Sequence, residues 1–203
     1  MEKATLMYLL YMGFFALLMG AVFLTPLLAF DHDMNDVYTG FSYACHQKLS
    51  RSICLFKNET YWMADCTNQT GQFVNSIADR TTIRTEVNGV IGYKMPVCSR
   101  DIGIYGAMLL AGAFYPFVKE IKDRKVYPGI FLILAMVPMG LDGGIQLLSE
   151  IGLLPFLYES SNTLRLLTGG IAGVVAAFYA IPILVNFVYG HEKPFHRAKK
   201  KSG

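Results

Sequence analysis

The sequence predicts an all-α membrane protein: a four-transmembrane-helix bundle with a small extracytoplasmic, partly β insert. Three observations carry this. Hydrophobic residues make up 53% of the 203-residue chain and charged residues only 16%, against about 25% charged in ordinary soluble domains. Four apolar runs are long enough to cross a bilayer, and one polar segment separates the first from the rest. The Lys and Arg residues that remain gather beside apolar runs, at Lys119–Lys125 and Lys193–Lys201, as they do on the cytoplasmic flanks of membrane helices. With a formal charge of only +3, the basic tail reads as such a flank, and nucleic acid is not expected as a partner.

Ala4 to Phe30 is uncharged throughout. It exceeds the about 7–15 apolar residues of a cleavable signal, and Pro26-Leu27-Leu28-Ala29-Phe30 makes a poor cleavage site. Residues 1–30 therefore read as a retained first helix. Residues 31–95 are polar and contain no spanning run. Asn58-Glu59-Thr60 and Asn68-Gln69-Thr70 are glycosylation-type sequons there. Cys54 and Cys66 flank a loop of a size that suits a disulfide, worth about 3 kcal/mol in the chain-entropy model. Thr81–Val87 alternates in the manner of a strand, and Asn88-Gly89 reads as a tight turn into Val90–Tyr93.

Residues 96–190 hold the remaining spans, expected at Ile102–Val118, Val126–Leu148 and Leu164–Tyr189. The third is expected to be interrupted by Pro128, by Pro138 and by Gly140-Leu141-Asp142-Gly143-Gly144, and the fourth to bend at Pro182. Gly103, Ala107 and Ala111, and Gly169, Gly173 and Ala177, repeat every four residues, the spacing that lets helix backbones approach closely in lipid. Residues 191–203 form the basic tail. The loop Lys119–Lys125 carries four basic residues and Ser149–Thr163 none. The positive-inside rule then expects both termini in the cytoplasm and residues 31–95 outside the cell membrane.

That topology brings three polar clusters to one boundary: Cys45-His46-Gln47, Cys98-Ser99-Arg100-Asp101, and Glu159 to Arg165. Asp142 and Gln146, four residues apart, share a helical face toward them. A carboxylate at membrane depth costs roughly 2.5–3.5 kcal/mol on insertion scales, so Asp142 needs a partner. Arg165 and Arg100 are the candidates. Ser160, Ser161 and Asn162 suit the N-terminus of the last span. Cys45, His46, Cys98 and Asp101 offer the soft sulfur and nitrogen ligands, with one carboxylate, that zinc takes. The rival is a Cys45–Cys98 disulfide, which an oxidising compartment favours.

Four segments in order resemble a family of predicted membrane proteins catalogued as domain of unknown function 2085. They are Cys45-His46-Gln47 with Arg51-Ser52; Pro96-Val97-Cys98-Ser99-Arg100-Asp101 with Gly103-Ile104-Tyr105; Gly140-Leu141-Asp142-Gly143 with Gln146; and Glu159-Ser160, Asn162, Leu164-Arg165 and Leu167-Thr168-Gly169. The resemblance covers most of the chain outside Ile53–Lys94. Many members carry a second cysteine where this chain has Asp101, which implies a metal site with a Cys-His half and a Cys-x-x-Cys half. It also implies that Ile53–Lys94 is a cap inserted over the site. No activity comes with the family.

Three functional readings follow. In a metal-dependent enzyme, Asp142 or Glu159 serves as general base toward a zinc-bound water, while Arg100 and Arg165, with Gln146 and Asn162, bind an anionic group such as a lipid phosphate. In a non-catalytic scaffold or thiol-redox protein, the cysteines form bridges and Asp142–Arg165 locks the bundle. In an oligomeric transporter, a broken third span carries Asp142 and Gln146 on the path. Soluble dehydrogenases and kinases are excluded for want of a phosphate-binding glycine loop.

Overall fold

The computed structural model describes residues 2–45, 47–67 and 82–190. Within them lie α1 (Lys3–Leu28), α2 (Asn35–Ser42), β1 (Ile53–Lys57), β2 (Tyr61–Asp65), β3 (Arg84–Val87), β4 (Val90–Lys94), α3 (Ser99–Val118), α4 (Gly129–Glu150) and α5 (Asn162–Tyr189). The helices α1, α3, α4 and α5 are each long and apolar enough to cross a membrane.

Their boundaries follow local chemistry. α3 begins three residues before its apolar run. Cys98 is its extended N-cap and Asp101 lies in its first turn, where a carboxylate faces the positive end of the helix dipole. Ser161 caps α5, its Oγ accepting from the Leu164 N–H at 3.3 Å. Pro182 lies inside α5. Of the expected interruptions of the third span, Pro128 stands outside the helix as its N-cap, and the other two do not occur: α4 runs unbroken from Gly129 to Glu150 with Pro138 inside it. Apolar surroundings offer no water to freed backbone groups, so a helix keeps its own hydrogen bonds and tolerates Pro and Gly there.

α5 is the hub. Cβ atoms added to Gly169 and Gly173 would strike the backbones of Arg100 and Ile104, and one on Gly103 would strike Leu166. The small-residue repeats therefore form the α3–α5 seam. α1 lies across that pair through Tyr11 and Phe15, packed with Ala111, Tyr115, Ala177 and Ile181. The Tyr11 hydroxyl donates to the Met108 carbonyl at 3.0 Å. α4 rests mainly on α5.

The four strands form one antiparallel sheet in the order β2-β1-β4-β3. β3 and β4 are the expected hairpin, and Asn88 (φ 53°) and Gly89 (φ 79°) make its turn, the positive pair that matches strand twist. β3 starts at Arg84, with Thr82 and Ile83 outside the strand and Thr81 outside the described residues. β1 and β2 form a second hairpin, closed by the Cys54–Cys66 disulfide. Both sulfurs pack with Phe56 in the sheet's small core. Asn58 sits exposed in the β1–β2 turn, whereas the second sequon and the tail 191–203 lie outside the described residues.

The sheet covers one end of the helices. At the other end, Lys122 pairs with Glu2 at 2.7 Å, and Arg124 Nε donates to Asn186 Oδ1 at 2.8 Å. The start of α1, the α3–α4 loop and the end of α5 therefore share that end.

Candidate metal centre and its ionic surround

Three of the four expected metal ligands fall in the described residues and meet at the sheet end. One ligand atom each from Cys45, Cys98 and Asp101 lie within 4.8 Å of one another. Helix geometry delivers two of them, because Cys98 caps α3 and Asp101 lies three residues on; Cys98 Sγ and Asp101 Oδ2 are 3.1 Å apart. The third is aimed by Gln47. Its backbone is left-handed (φ 49°), a strained conformation for a side chain without a turn role, and surrounding bonds hold it there. Gln47 Nε2 donates to the carbonyls of Tyr38 (2.7 Å) and Pro96 (2.9 Å), and its own carbonyl accepts from Lys94 Nζ at 2.9 Å. With the chain so turned, Cys45 Sγ accepts from the Cys98 N–H at 3.3 Å. His46 lies outside the described residues.

The donor set fits zinc. Ligand atoms about 2.3 Å from a tetrahedral ion stand about 3.7 Å from one another, so a trio within 4.8 Å needs only a small closure. The two thiols also condition each other. Donation from the Cys98 thiol lowers the Cys45 pKa below the ordinary thiol range. Sharing its proton with Cys45, together with burial, pushes Cys98 well above that range.

Beside the trio lies a buried ionic network. Arg165 is 2% exposed. Its Nη2 donates to Gln146 Oε1 at 2.6 Å and to Glu159 Oε1, and its Nε donates to the Ser160 carbonyl at 3.1 Å. Gln146 Nε2 donates to the same Glu159 oxygen at 2.9 Å. Arg51 and Lys48, just before β1, reach in from the sheet side to Glu159 and to Glu150 at the end of α4. Asp142 accepts from Arg100 and, at 2.9 Å, from the Tyr158 hydroxyl. Of the two arginines expected to pair with Asp142, Arg100 does so, and Arg165 takes Glu159 instead. The Asp142–Arg165 lock of the scaffold reading is absent among the described residues.

Asn162 is fully engaged as a junction. Its Oδ1 accepts from Ser99 Oγ at 2.8 Å, and its Nδ2 donates to the Ser52 carbonyl (3.2 Å) and Asp65 Oδ1 (2.8 Å). Arg100 differs from Arg165 in having donors to spare. Its Nε is buried without a hydrogen-bond partner among the described residues, and the guanidinium lies over Gly143, where a Cβ would come within 3.1 Å of Nη1.

Arg51, Lys48, Glu150, Tyr158 and Asp65 were not expected at this site. Of these, only Arg51 carried a signal, as part of the segment with Cys45-His46-Gln47 that resembles the family; Asp142 and Glu159 already balance Arg100 and Arg165 in charge, so charge pointed to no further residue.

A family model described as a predicted membrane protein (DUF2085) matches residues 89–179. An uncharacterized protein of Methanocaldococcus jannaschii, MJ1492, is 30% identical over 190 residues, covering 90% of this chain and 95% of the relative. No solved structure matches.

Proposed function

This chain belongs to the family of predicted membrane proteins with domain of unknown function 2085, and on that premise we propose a membrane metalloprotein that holds zinc where α3 enters the bilayer. The observation that carries the reading is the convergence of Cys45, Cys98 and Asp101 from two separate elements onto one point. His46, next to Cys45 in the chain, is proposed as the fourth ligand on its chemistry. Bound zinc would act there as a Lewis acid and as a tie between the α2–β1 connection and α3.

In this reading both termini are cytoplasmic and residues 31–95 extracytoplasmic. Support comes from the four basic residues of Lys119–Lys125 at one end and their lack in Ser149–Thr163 at the other. The centre then lies at the outer boundary. Arg100, whose side chain is 20% exposed beside its Asp142 pair, is the contact for an anionic group of a membrane-associated substrate. Arg165, Gln146 and Asn162 position the site, because their polar atoms are already taken up within the protein. Asp142 and Glu159 neutralise arginines. Any proton transfer by either acid requires its ion pair to open.

Elemental analysis of purified protein, with thiol counting before and after chelation, tests the reading. One zinc per chain and two thiols released by chelator support it. The second reading, a reversible dithiol, rests on Cys45 and Cys98, which are not bridged as expected but are free thiols with sulfurs within 4.8 Å of one another. Metal-free protein with an intact Cys45–Cys98 bridge under non-reducing mass spectrometry would establish that instead. The transporter reading loses one support, the broken third span, since α4 is continuous.

A further inference from the structure

A groove of about 410 Å³ opens on the side of the helices at the sheet end, within the roughly 300–1,000 Å³ typical of ligand sites. Its walls come from three spans, Phe23 of α1, Ile102 of α3 and Leu166 of α5, and its roof from Met63 and Ala64 of β2. Arg100 and Ile102 are two residues apart on α3, about 200° around the helix. The groove therefore lies on the opposite flank from the Arg100–Asp142 pair and meets the surround of the candidate site at Asn162.

What the groove takes follows from its surroundings. Phe23, Met63 and Leu166 are 41%, 58% and 37% exposed, so its mouth is continuous with the lipid-facing surface of the spans. The roof lies at headgroup depth by composition. Tyr61 and Trp62 precede Met63 on β2 and are exposed. Phe30, just past α1, makes edge contacts with Tyr61 and Tyr93, and Lys57 Nζ lies 5.4 Å from the Phe30 and Tyr61 rings. Aromatic rings with an adjacent lysine mark the membrane–water interface. The groove thus begins just beneath headgroup level, where hydrocarbon chains begin. At its polar corner Asn162 already donates to Asp65 at 2.8 Å, so chain methylenes can replace water without stranding that amide.

We propose that this roofed groove seats one acyl chain of a phospholipid from the leaflet at the sheet end. The roof distinguishes the seat from an ordinary lipid-facing surface: β2 lies over the chain and limits its exchange with bulk lipid.

The test uses full-length protein in phosphatidylcholine nanodiscs doped with phosphatidylcholine carrying a diazirine on one acyl chain, with labelled peptides mapped by mass spectrometry. Labelling at Met63, Ile102 and Leu166 is expected to exceed that at Ile133 and Leu134, exposed on α4, severalfold. Ala64→Trp in the roof and Thr163→Trp at the opposite wall are each expected to cut groove labelling severalfold. Labelling of α4 and the thermal midpoint should stay unchanged. Even labelling of groove and α4 overturns the proposal, as does groove labelling that survives both substitutions. A covalent dimer from protein carrying a photo-cross-linking amino acid in place of Thr163 would make the groove an interface between copies and overturns it equally. If neither variant folds, the wild-type contrast decides.

Discussion

Arg51 and Glu159, 108 residues apart in the chain, meet through two parallel hydrogen bonds, Nε to Oε1 and Nη2 to Oε2, each 2.8 Å. The same carboxylate takes Arg165 from α5 and Gln146 from α4. One acid in the loop before α5 therefore fastens the sheet side to two spans. Bidentate pairing to a planar guanidinium is among the stronger polar contacts a protein makes, and here both partners are largely out of water.

Glu159→Gln should be severely destabilising. It leaves the Arg165 guanidinium buried without its anion, a change that costs about 3–5 kcal/mol in buried pairs. The thermal midpoint in detergent should fall steeply. Lys122→Ala removes an ion pair whose side chains are 59% and 57% exposed, and such pairs contribute about 0–1 kcal/mol. Equal losses in the two variants would mean that the network does not hold the bundle.

Cys45→Ser and Cys98→Ser should each abolish stoichiometric zinc, because a hydroxyl does not replace a thiolate ligand. Asp101→Cys should instead hold zinc longer against a chelator, since a second thiolate on the same helical turn is the softer ligand. Zinc retained at wild-type levels in both serine variants would place any metal elsewhere.

In metal-free protein, alkylation should distinguish the thiols by pH. Cys45, lowered by donation from Cys98, becomes a thiolate at lower pH than an ordinary thiol and should be modified first. Cys98, pushed up, should be modified last. In Cys98→Ala the donor is lost, the Cys45 pKa rises, and its alkylation profile should move to higher pH. Peptide-resolved alkylation rates across a pH series provide the measurement.

The glycines of the spans should divide into two groups. Gly173→Ala puts a methyl into the Ile104 backbone, and such overpacking costs about 1–3 kcal/mol. Gly140→Ala meets nothing within 4 Å and should leave the thermal midpoint unchanged. Destabilisation by both would mean that α4 has a neighbour at Gly140.

The candidate site was legible in its parts and less so in its pairings. Cys98 and Asp101 follow from one helical turn, and Asp142 and Gln146 from a shared face, because these relations are local. The β1–β2 hairpin carried a signal in Ile53-Cys54-Leu55-Phe56 and Tyr61-Trp62-Met63, two apolar and aromatic runs around a polar turn, though Cys54–Cys66 alone was expected. Lys48 resembles an ordinary surface charge in the sequence, and Arg51, although part of a family-like segment, came with no partner. Only their meeting with Glu150 and Glu159 draws them into the interior.

By itself the sequence determined the four apolar helices, the Asn88-Gly89 hairpin, the Cys54–Cys66 pair and the small-residue repeats of α3 and α5, though not that these two repeats meet. Each rests on hydrophobicity, turn stereochemistry or residue size within a short window. Only the tertiary structure decided that Arg100 takes Asp142 while Arg165 and Arg51 share Glu159, that α4 stays continuous, and that β2 roofs a groove between spans. Those outcomes depend on how each helix is rotated and how far it slides against α5, and many side chains fix these jointly through packing that no short stretch specifies.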